Sequence, residues 1–181
     1  DRAGQAFPVL LDYWIEQNRA RRHVWPGLYT SQVARTQPPG PVAWPAREIV
    51  DQVSLQRARP GATGHVHFSM VALLQDRDGV ATRLQKSAYA TPTLVPATPW
   101  LDDQPPPPPL LRLAGARVEI QPGAGEAAAR WAVWRRVGDV WRFAVLPAAQ
   151  RSFALEGADA VVVSAVDRVG NVSTRNLVRL P

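Results

Sequence analysis

Hydrophobic residues in the first ninety positions recur at helical spacing in three stretches. Between residues 7 and 21 the apolar positions repeat every three or four residues, which predicts an amphipathic helix. A second helix is predicted over residues 46–57, since Pro45 is well placed at its start and Pro60 ends the pattern. Residues 80–90 predict a third helix, with Leu84 and Ala88 turned inward.

Two shorter apolar stretches separate these helices and predict strands. Residues 23–29 are rich in β-branched and aromatic side chains, but Pro26 and Gly27 predict a bend or bulge. Residues 64–70 form the second strand, and a proline-rich loop over 38–45 lies between the two. Strands joined by a crossover helix normally run parallel. The first half of the chain therefore predicts an α/β unit with a parallel strand pair.

Residues 64–70 alternate between an apolar and a polar face, because successive strand side chains point to opposite sides. Val66, Phe68 and Met70 form the apolar face, and His65, His67 and Ser69 form the polar one. The apolar face is expected to pack on helices. The polar face suits the mouth of a closed barrel of parallel strands, shared with Trp25 and Tyr29 of the other strand. The alternative is an open sheet whose histidines face water.

The periodicity changes to two beyond residue 110. Five prolines at 105–109 favour a stiff extended spacer, which predicts a domain boundary. About six short strands follow, which predict an all-β sandwich with Trp131, Trp134 and Trp141 in its core. Residues 167–171 predict a turn between the last two strands.

Composition and charge narrow the classes of partner. The 181 residues are 46% hydrophobic and 20% charged, as in an ordinary folded protein. The net charge of +6 comes from scattered arginines without a recognition helix or stacking motif, so no nucleic-acid partner is expected. The absence of cysteine excludes disulfides, thiolate metal sites and a cysteine nucleophile. No apolar run reaches membrane-spanning length.

No set of residues predicts a catalytic centre. Hydrolysis of a glycosidic bond needs two facing carboxyl groups, and neither predicted strand ends in Asp or Glu. Glu48 is better explained as a first-turn helix residue. Ser69, His67 and Asp102 could form a hydrolase triad only on paper, since no glycines of a nucleophile elbow flank Ser69.

Metal sites are not predicted either, and no cofactor is expected. Zinc binding by His65 and His67 would need His23 or a carboxylate as a third ligand, without supporting spacing. Calcium binding at Asp167 would need more oxygen ligands than the neighbouring sequence offers.

Binding of a ligand is the remaining chemistry, and aromatic with polar side chains are what a sugar would need. Sugar rings stack on aromatic side chains while positioned polar groups bond their hydroxyls. The predicted substrate-binding residues are Trp25, Tyr29, His65, His67 and Ser69. Core packing is the alternative for Trp25.

Several segments resemble one family of bacterial envelope proteins. They are Trp-Pro-Gly-Leu-Tyr-Thr at 25–30, Glu48-Ile49 with Gln52-Val53 and Arg57, Gly-His-Val-His-Phe-Ser-Met at 64–70, and Pro99-Trp100-Leu101. They are similar to the C-terminal part of glycoside-hydrolase-like family 10 proteins, which carry a (β/α)8 TIM barrel and a fibronectin type III-like domain. Residues 163–171 resemble the last hairpin of fibronectin type III domains.

The resemblance implies residues 1–104 as the last two strand–helix units of the barrel, 105–109 as a polyproline linker, and 110–181 as a fibronectin type III-like sandwich. The family's carboxylates lie on an earlier strand followed by Asp-Asp-Tyr, which this sequence lacks. The expectation is a C-terminal portion of a glycoside hydrolase, inactive alone, completed by a missing N-terminal barrel half or another chain. Its partner would be peptidoglycan or another polysaccharide in the bacterial envelope, periplasmic or secreted. A non-catalytic carbohydrate- or envelope-binding module is the alternative.

Overall fold

The chain folds into two compact units, Asp1–Ala90 and Thr91–Pro181. The structure is a computed structural model that describes residues 3–35 and 42–179. Residues 38–41 of the predicted proline-rich loop lie outside the described residues. Within the described ranges, no helix has both the length and the apolar character needed to cross a bilayer.

The first unit alternates helices with two short strands. Its elements are α1 (Phe7–Gln17), β1 (Gly27–Leu28), α2 (Ala46–Arg57), β2 (Val66–His67), α3 (Met70–Leu74) and α4 (Val80–Lys86). The three predicted helices are confirmed, although the first and third end early. α1 stops at Gln17, and the Asn18 side chain then bonds the backbone of Arg22 in both directions.

β1 and β2 form the predicted parallel pair, with Gly27 opposite Val66 and Leu28 opposite His67. Backbone hydrogen bonds extend the pairing at both ends. Thr63 N donates to Val24 O at 3.3 Å, and Ser31 N donates to Phe68 O at 2.9 Å. The two carboxyl ends therefore meet at one edge.

One face of this pair carries the core of the first unit. Leu28 is fully buried against α2 and α4, where Ile49, Val53, Val80 and Leu84 complete the cluster. Helical periodicity placed Ile49, Val53 and Leu84 inward, and their burial confirms it.

The predicted orientation of the histidine strand is wrong. Leu28 and its partner His67 share a face, so the histidine face points toward the helices. Val66, Phe68 and Met70, expected to be buried, are instead 51%, 64% and 61% exposed. The reason is that the histidines find polar partners on the helix side, which removes the cost of burying them. Met70 moreover begins α3 and so leaves the strand.

The second unit is a sandwich of two antiparallel sheets, as predicted. Its strands are β3 (Leu110–Ala114), β4 (Arg117–Gln121), β5 (Arg130–Val137), β6 (Val140–Pro147), β7 (Ser152–Ala154), β8 (Ala160–Val166) and β9 (Asn176–Arg179). The sheet orders are β3-β4-β7 and β6-β5-β8-β9. This strand switching between sheets is the Greek-key arrangement that fibronectin type III domains share with other sandwiches. β3 was not anticipated.

Of the three sandwich tryptophans, Trp131 alone lies in the core, where it is fully buried. The core prediction is wrong for Trp141, which is 46% exposed, and Trp134 is only partly buried. Trp134 faces Phe143, and Trp141 faces Arg136, across β5 and β6. These positions alternate with the core residues of β5, so they lie on the outer face of the sheet.

Residues before the sandwich, including the proline run at 105–109, lie within the second unit. Asn171 Nδ2 donates to Asp102 O at 3.0 Å, and Asn176 Nδ2 donates to Pro109 O at 2.8 Å. These bonds hold the extended segment against the sandwich. The compact units consequently divide at residue 90, earlier than the boundary predicted from the prolines.

The turn at 167–171 forms as predicted. Asp167 Oδ1 accepts hydrogen bonds from the backbone N–H groups of Val169 and Asn171 at 2.8 and 2.9 Å. Gly170 has a φ of +91°, a conformation in which glycine is unstrained.

Candidate functional site

The carboxyl ends of β1 and β2 open into a pocket of about 400 Å³. Its walls are Tyr29, Ser31, Arg35, Phe68, Ser69, Val71 and Arg77. Ligands of parallel α/β folds bind at this end of the strands, because side chains from several loops converge there. This pocket is therefore the candidate binding site of the first unit.

Two serines join the strands at the base of the pocket. Ser69 N donates to Ser31 Oγ at 2.8 Å, and the two hydroxyl oxygens lie 3.0 Å apart. One of the two hydroxyls donates its proton to the other, and the second hydroxyl can then donate its own proton to a ligand. Ser69 thus occupies the pocket, as its prediction as a binding residue requires.

Tyr29 and Phe68 form the aromatic wall. Their ring centroids are 5.9 Å apart with planes inclined by 40°, and Trp44 supports Tyr29 edge-on at 6.1 Å. Both Tyr29 and Phe68 remain exposed. Such rings offer the flat apolar surface on which a sugar ring stacks.

Arg35 and Arg77 give the pocket a positive charge. Arg77 Nη1 donates to Ser31 O at 3.3 Å and its Nε donates to Gln75 Oε1 at 2.8 Å. Among the described residues, neither arginine lies in an ion pair, and no carboxylate lines the pocket. An acidic group on a ligand would meet both guanidinium groups.

The two predicted histidines lie outside this pocket, in a cluster between the sheet and the helices. His65 Nδ1 lies 3.1 Å from Gln56 Oε1, and His67 Nδ1 lies 2.8 Å from Thr30 Oγ1. The Nε2 atoms of both rings bond the hydroxyl of Tyr89, His67 at 2.7 Å. We call His65, His67 and Tyr89 the imidazole–phenol cluster.

Burial and charge keep the imidazoles of this cluster neutral. Burial lowers the pKa of His65 to about 4, aided by the charges of His67 and Arg57. Burial also lowers the pKa of His67. For Tyr89, burial raises the pKa of the phenol, and the guanidinium of Arg57, 5.7 Å from the ring centre, opposes this rise.

Trp25 lies apart from both groups. Its Nε1 donates to Thr63 Oγ1 at 2.9 Å, and its ring stacks on His23 with centroids 5.4 Å apart. Trp25 borders a groove of about 570 Å³ beside α1, and Leu10 and Trp14 also line this groove. The five predicted binding residues therefore fall into three places, with only Tyr29 and Ser69 in one pocket.

The hydrolase triad drawn from Ser69, His67 and Asp102 finds no support in the first unit. Both ring nitrogens of His67 are engaged by Thr30 and Tyr89. Glu48 accepts a hydrogen bond from Gln52 Nε2 at 2.9 Å along α2, in keeping with a helix role.

In the second unit, carboxylate oxygens of Asp102, Glu126 and Asp167 lie within 4.8 Å of one another. Asp167 is buried, and its Oδ2 also accepts a bond from Asn171 Nδ2 at 2.8 Å. Oxygen donors of this kind suit Ca²⁺, although a full site takes six or more. The sequence prediction considered Asp167 alone, because the other two carboxylates are distant in the chain.

Sequence reasoning missed Arg35, Arg77, Phe68 and Tyr89 as site residues. Phe68 was assigned to the wrong face, and Arg77 lies in what reads as a solvent turn. Tyr89 sits beyond the last helical turn, where spacing carries no information about its partner. Only the fold brings it to the histidines.

No protein-family model matches the chain. Over 107 residues, or 59% of this chain, the sequence is 33% identical to the Bacillus subtilis (strain 168) protein named glycosyl hydrolase YngK. The match covers 21% of that protein, so the chain spans about a fifth of its length.

Two solved structures are also similar, each with a TM-score of 0.32. A myokine structure is 25% identical, covering 43% of this chain and 99% of that one. A fibronectin type III domain of human collagen XX is 17% identical, covering 48% of this chain and 99% of that one. The chain is thus similar in part to a protein named as a glycosyl hydrolase.

Proposed function

We propose that this chain is the glycan-contacting C-terminal portion of a glycoside hydrolase-like protein. The observation that carries the proposal is the partial identity to a protein named glycosyl hydrolase. The pocket at the carboxyl ends of β1 and β2 supports it, since aromatic rings and hydroxyls are what a sugar requires.

The ligand of the pocket is a glycan that carries an acidic group. Tyr29 and Phe68 stack against a ring, Ser31 and Ser69 bond its hydroxyls, and Arg35 and Arg77 pair with a carboxylate. Cell-wall glycan or another polysaccharide of the bacterial envelope remains the proposed source, in a periplasmic or secreted protein. This setting follows from the resemblance to glycoside-hydrolase-like family 10 proteins.

The catalytic carboxylates belong to another part of the protein. β1 and β2 are proposed as neighbouring strands of a (β/α)8 barrel, whose remaining strands would pair with their open edges. The lack of a carboxylate in the described pocket lining is what such a division of roles requires. The isolated chain is expected to bind glycan without hydrolysing it.

The test compares a carboxylated oligosaccharide with its carboxyl-reduced, neutral form, using the full 181-residue chain. Tyr29→Ala should weaken binding of both ligands about tenfold, because it removes the stacking surface. Arg77→Gln should weaken binding of the carboxylated ligand alone. Titration calorimetry measures both effects, and Tyr13→Ala, an exposed tyrosine on α1, is the matched control.

A selective loss in Arg77→Gln cannot come from misfolding, because the neutral ligand reports on the same pocket. Equal affinity of wild type and Tyr29→Ala for both ligands would refute the assignment. Release of reducing sugar by the chain alone would contradict the proposed division of roles.

A second candidate is a non-catalytic carbohydrate-binding module in the sandwich. The outer face of β5 and β6 supports it: Trp134 and Phe143 have ring centroids 4.9 Å apart, and Arg175 lies over Trp134 at 5.1 Å. In the same titrations this candidate predicts that Trp141→Ala weakens binding while Tyr29→Ala does not.

A further inference from the structure

The imidazole–phenol cluster has a convergent geometry that the glycan proposal does not use. Two Nε2 atoms, from His65 and His67, point at the hydroxyl oxygen of Tyr89. The histidine rings are nearly perpendicular, at 83°, with centroids 5.3 Å apart. Both Nε2 atoms thus converge on the phenol oxygen of Tyr89, which brings two nitrogens and one oxygen together.

The Nδ1 atoms of both histidine rings form hydrogen bonds with neighbouring side chains. Gln56 Nε2 donates to Ala62 O at 2.9 Å, which turns Gln56 Oε1 toward His65. An amide oxygen only accepts, so His65 carries its proton on Nδ1 and presents a lone pair at Nε2. Metal-binding histidines are typically oriented in this manner, by an acceptor at the other ring nitrogen.

Thr30 plays the corresponding part for His67. Its Oγ1 lies 3.2 Å from Leu28 O and 2.8 Å from His67 Nδ1, and its single proton serves one of them. When Thr30 donates to Leu28 O, His67 Nδ1 must carry a proton and its Nε2 becomes a second lone pair.

In that state the two histidine nitrogens and the Tyr89 oxygen have one proton too few to form both hydrogen bonds. The phenol has a single proton to donate, while two imidazole lone pairs face its oxygen. A cation bound by the two Nε2 atoms and the Tyr89 oxygen satisfies all three of them once the phenol is ionised. When Thr30 instead donates to His67, each group in the cluster has one donor and one acceptor, and no cation is needed. The two states therefore predict different affinities for a metal ion.

We propose that His65 Nε2, His67 Nε2 and Tyr89 Oη bind one divalent transition-metal ion of the Cu²⁺ or Zn²⁺ class. Imidazole nitrogen suits both ions, and affinity for such sites is highest for Cu²⁺. Tetrahedral bonds of about 2.0–2.1 Å place ligand atoms about 3.3–3.4 Å apart. His67 Nε2 and Tyr89 Oη, which lie 2.7 Å apart, must therefore separate by about 0.6–0.7 Å, and His65 Nε2 must also move away from Tyr89. His65 and His67 are partly buried and Tyr89 is 38% exposed, which leaves a further coordination position accessible to solvent.

Two features of the surroundings bear on the charge of the bound state. Burial raises the pKa of Tyr89 and so opposes the phenolate that coordination needs, while Arg57 over its ring partly offsets this effect and repels the metal. The phenolate supplies the one negative charge among the three ligands. The inference stands on the first unit alone and does not depend on the proposed glycan function.

The experiment titrates the chelator-treated full chain with Cu²⁺ alone and Zn²⁺ alone. The wild type should bind one equivalent, and His65→Gln and His67→Gln should each lower the affinity by at least about tenfold. His23→Gln, which removes the third histidine, is the control and should bind as the wild type does.

Tyr89→Phe keeps the ring and tests the oxygen ligand without endangering the fold. Cu²⁺ should produce a visible phenolate charge-transfer band in the wild type, with release of about one proton per ion. Both signals should vanish in Tyr89→Phe. Equal affinity in the wild type and the two histidine variants, or an unchanged Cu²⁺ spectrum in Tyr89→Phe, would overturn the site.

Discussion

At the scale of single residues, polar side chains determine how the short elements of the first unit begin. Asp76, with a φ of +45°, precedes α4 and caps it from outside. Its Oδ1 accepts bonds from the backbone N–H of Ala81 at 2.8 Å and of Thr82 at 3.0 Å, and Oδ2 accepts from Thr82 Oγ1 at 2.6 Å. These bonds satisfy donors that a helix start leaves unpaired.

The pKa of Asp76 is lowered from its ordinary value of 3.8, chiefly by the Thr82 side-chain bond. A carboxyl group with a lowered pKa in the folded state stabilises that state above the unfolded value. The contribution is lost as the pH falls through the folded pKa.

We therefore expect Asp76→Asn to lower the free energy of unfolding of the first unit at neutral pH. Its difference from wild type should shrink once the pH falls below 3.8. Urea unfolding followed by helical circular dichroism measures this, since the described helices lie in the first unit.

Asp51→Asn is the control for Asp76. Asp51 pairs with Arg47 at 3.1 Å on the exposed face of α2, and such pairs contribute little. Its effect should stay within about 0.5 kcal/mol at any pH. A difference between wild type and Asp76→Asn that does not change with pH would rule out the charge-dependent cap.

At the scale of elements, helix periodicity predicted which side chains build the first core. Leu84 on α4 is 1% exposed and packs with the α2 residues, whereas Leu74 on α3 is 79% exposed. The two leucines therefore provide a matched pair on neighbouring helices.

Leu84→Ala should lower the free energy of unfolding of the first unit by about 2–5 kcal/mol, because it removes buried methyl groups and leaves a cavity. Leu74→Ala should change it by no more than about 0.5 kcal/mol. Denaturant titration of the two variants decides the matter, and similar losses in both would show that α4 does not close this core.

At the scale of the whole molecule, the first unit exposes apolar side chains in and next to its two short strands. Within residues 3–35 and 42–179, β1 and β2 pair with each other in a two-stranded sheet. Exposed strand edges beside apolar side chains invite pairing with other chains. Phe68, which follows β2 directly, is 64% exposed.

The 181-residue chain is accordingly expected to self-associate in a concentration-dependent manner. Phe68→Glu should shift the mass measured by light scattering toward the monomer, because a charge on this surface opposes burial. Val140→Glu, at a residue 60% exposed on the sandwich, should leave the mass unchanged. A monomeric wild type at all concentrations would contradict the expectation.

The sequence by itself determined the features that depend on neighbours along the chain. The three helices, the strand pair, the turn at Asp167 and the sandwich strands other than β3 follow from local spacing, prolines and turn residues. Tyr29 and Ser69 were predicted as binding residues from one shared polar face at the mouth of a barrel, and the structure places both at one pocket.

Only the tertiary structure decided which face of the histidine strand is buried. Alternation separates two faces but does not say which one meets the helices, and the polar partners Gln56 and Thr30 reversed the hydrophobic expectation. It also brought Tyr89 to the histidines and two arginines to the pocket. These contacts join residues that are distant along the chain, and spacing along a sequence carries no information about partners that the fold alone brings together.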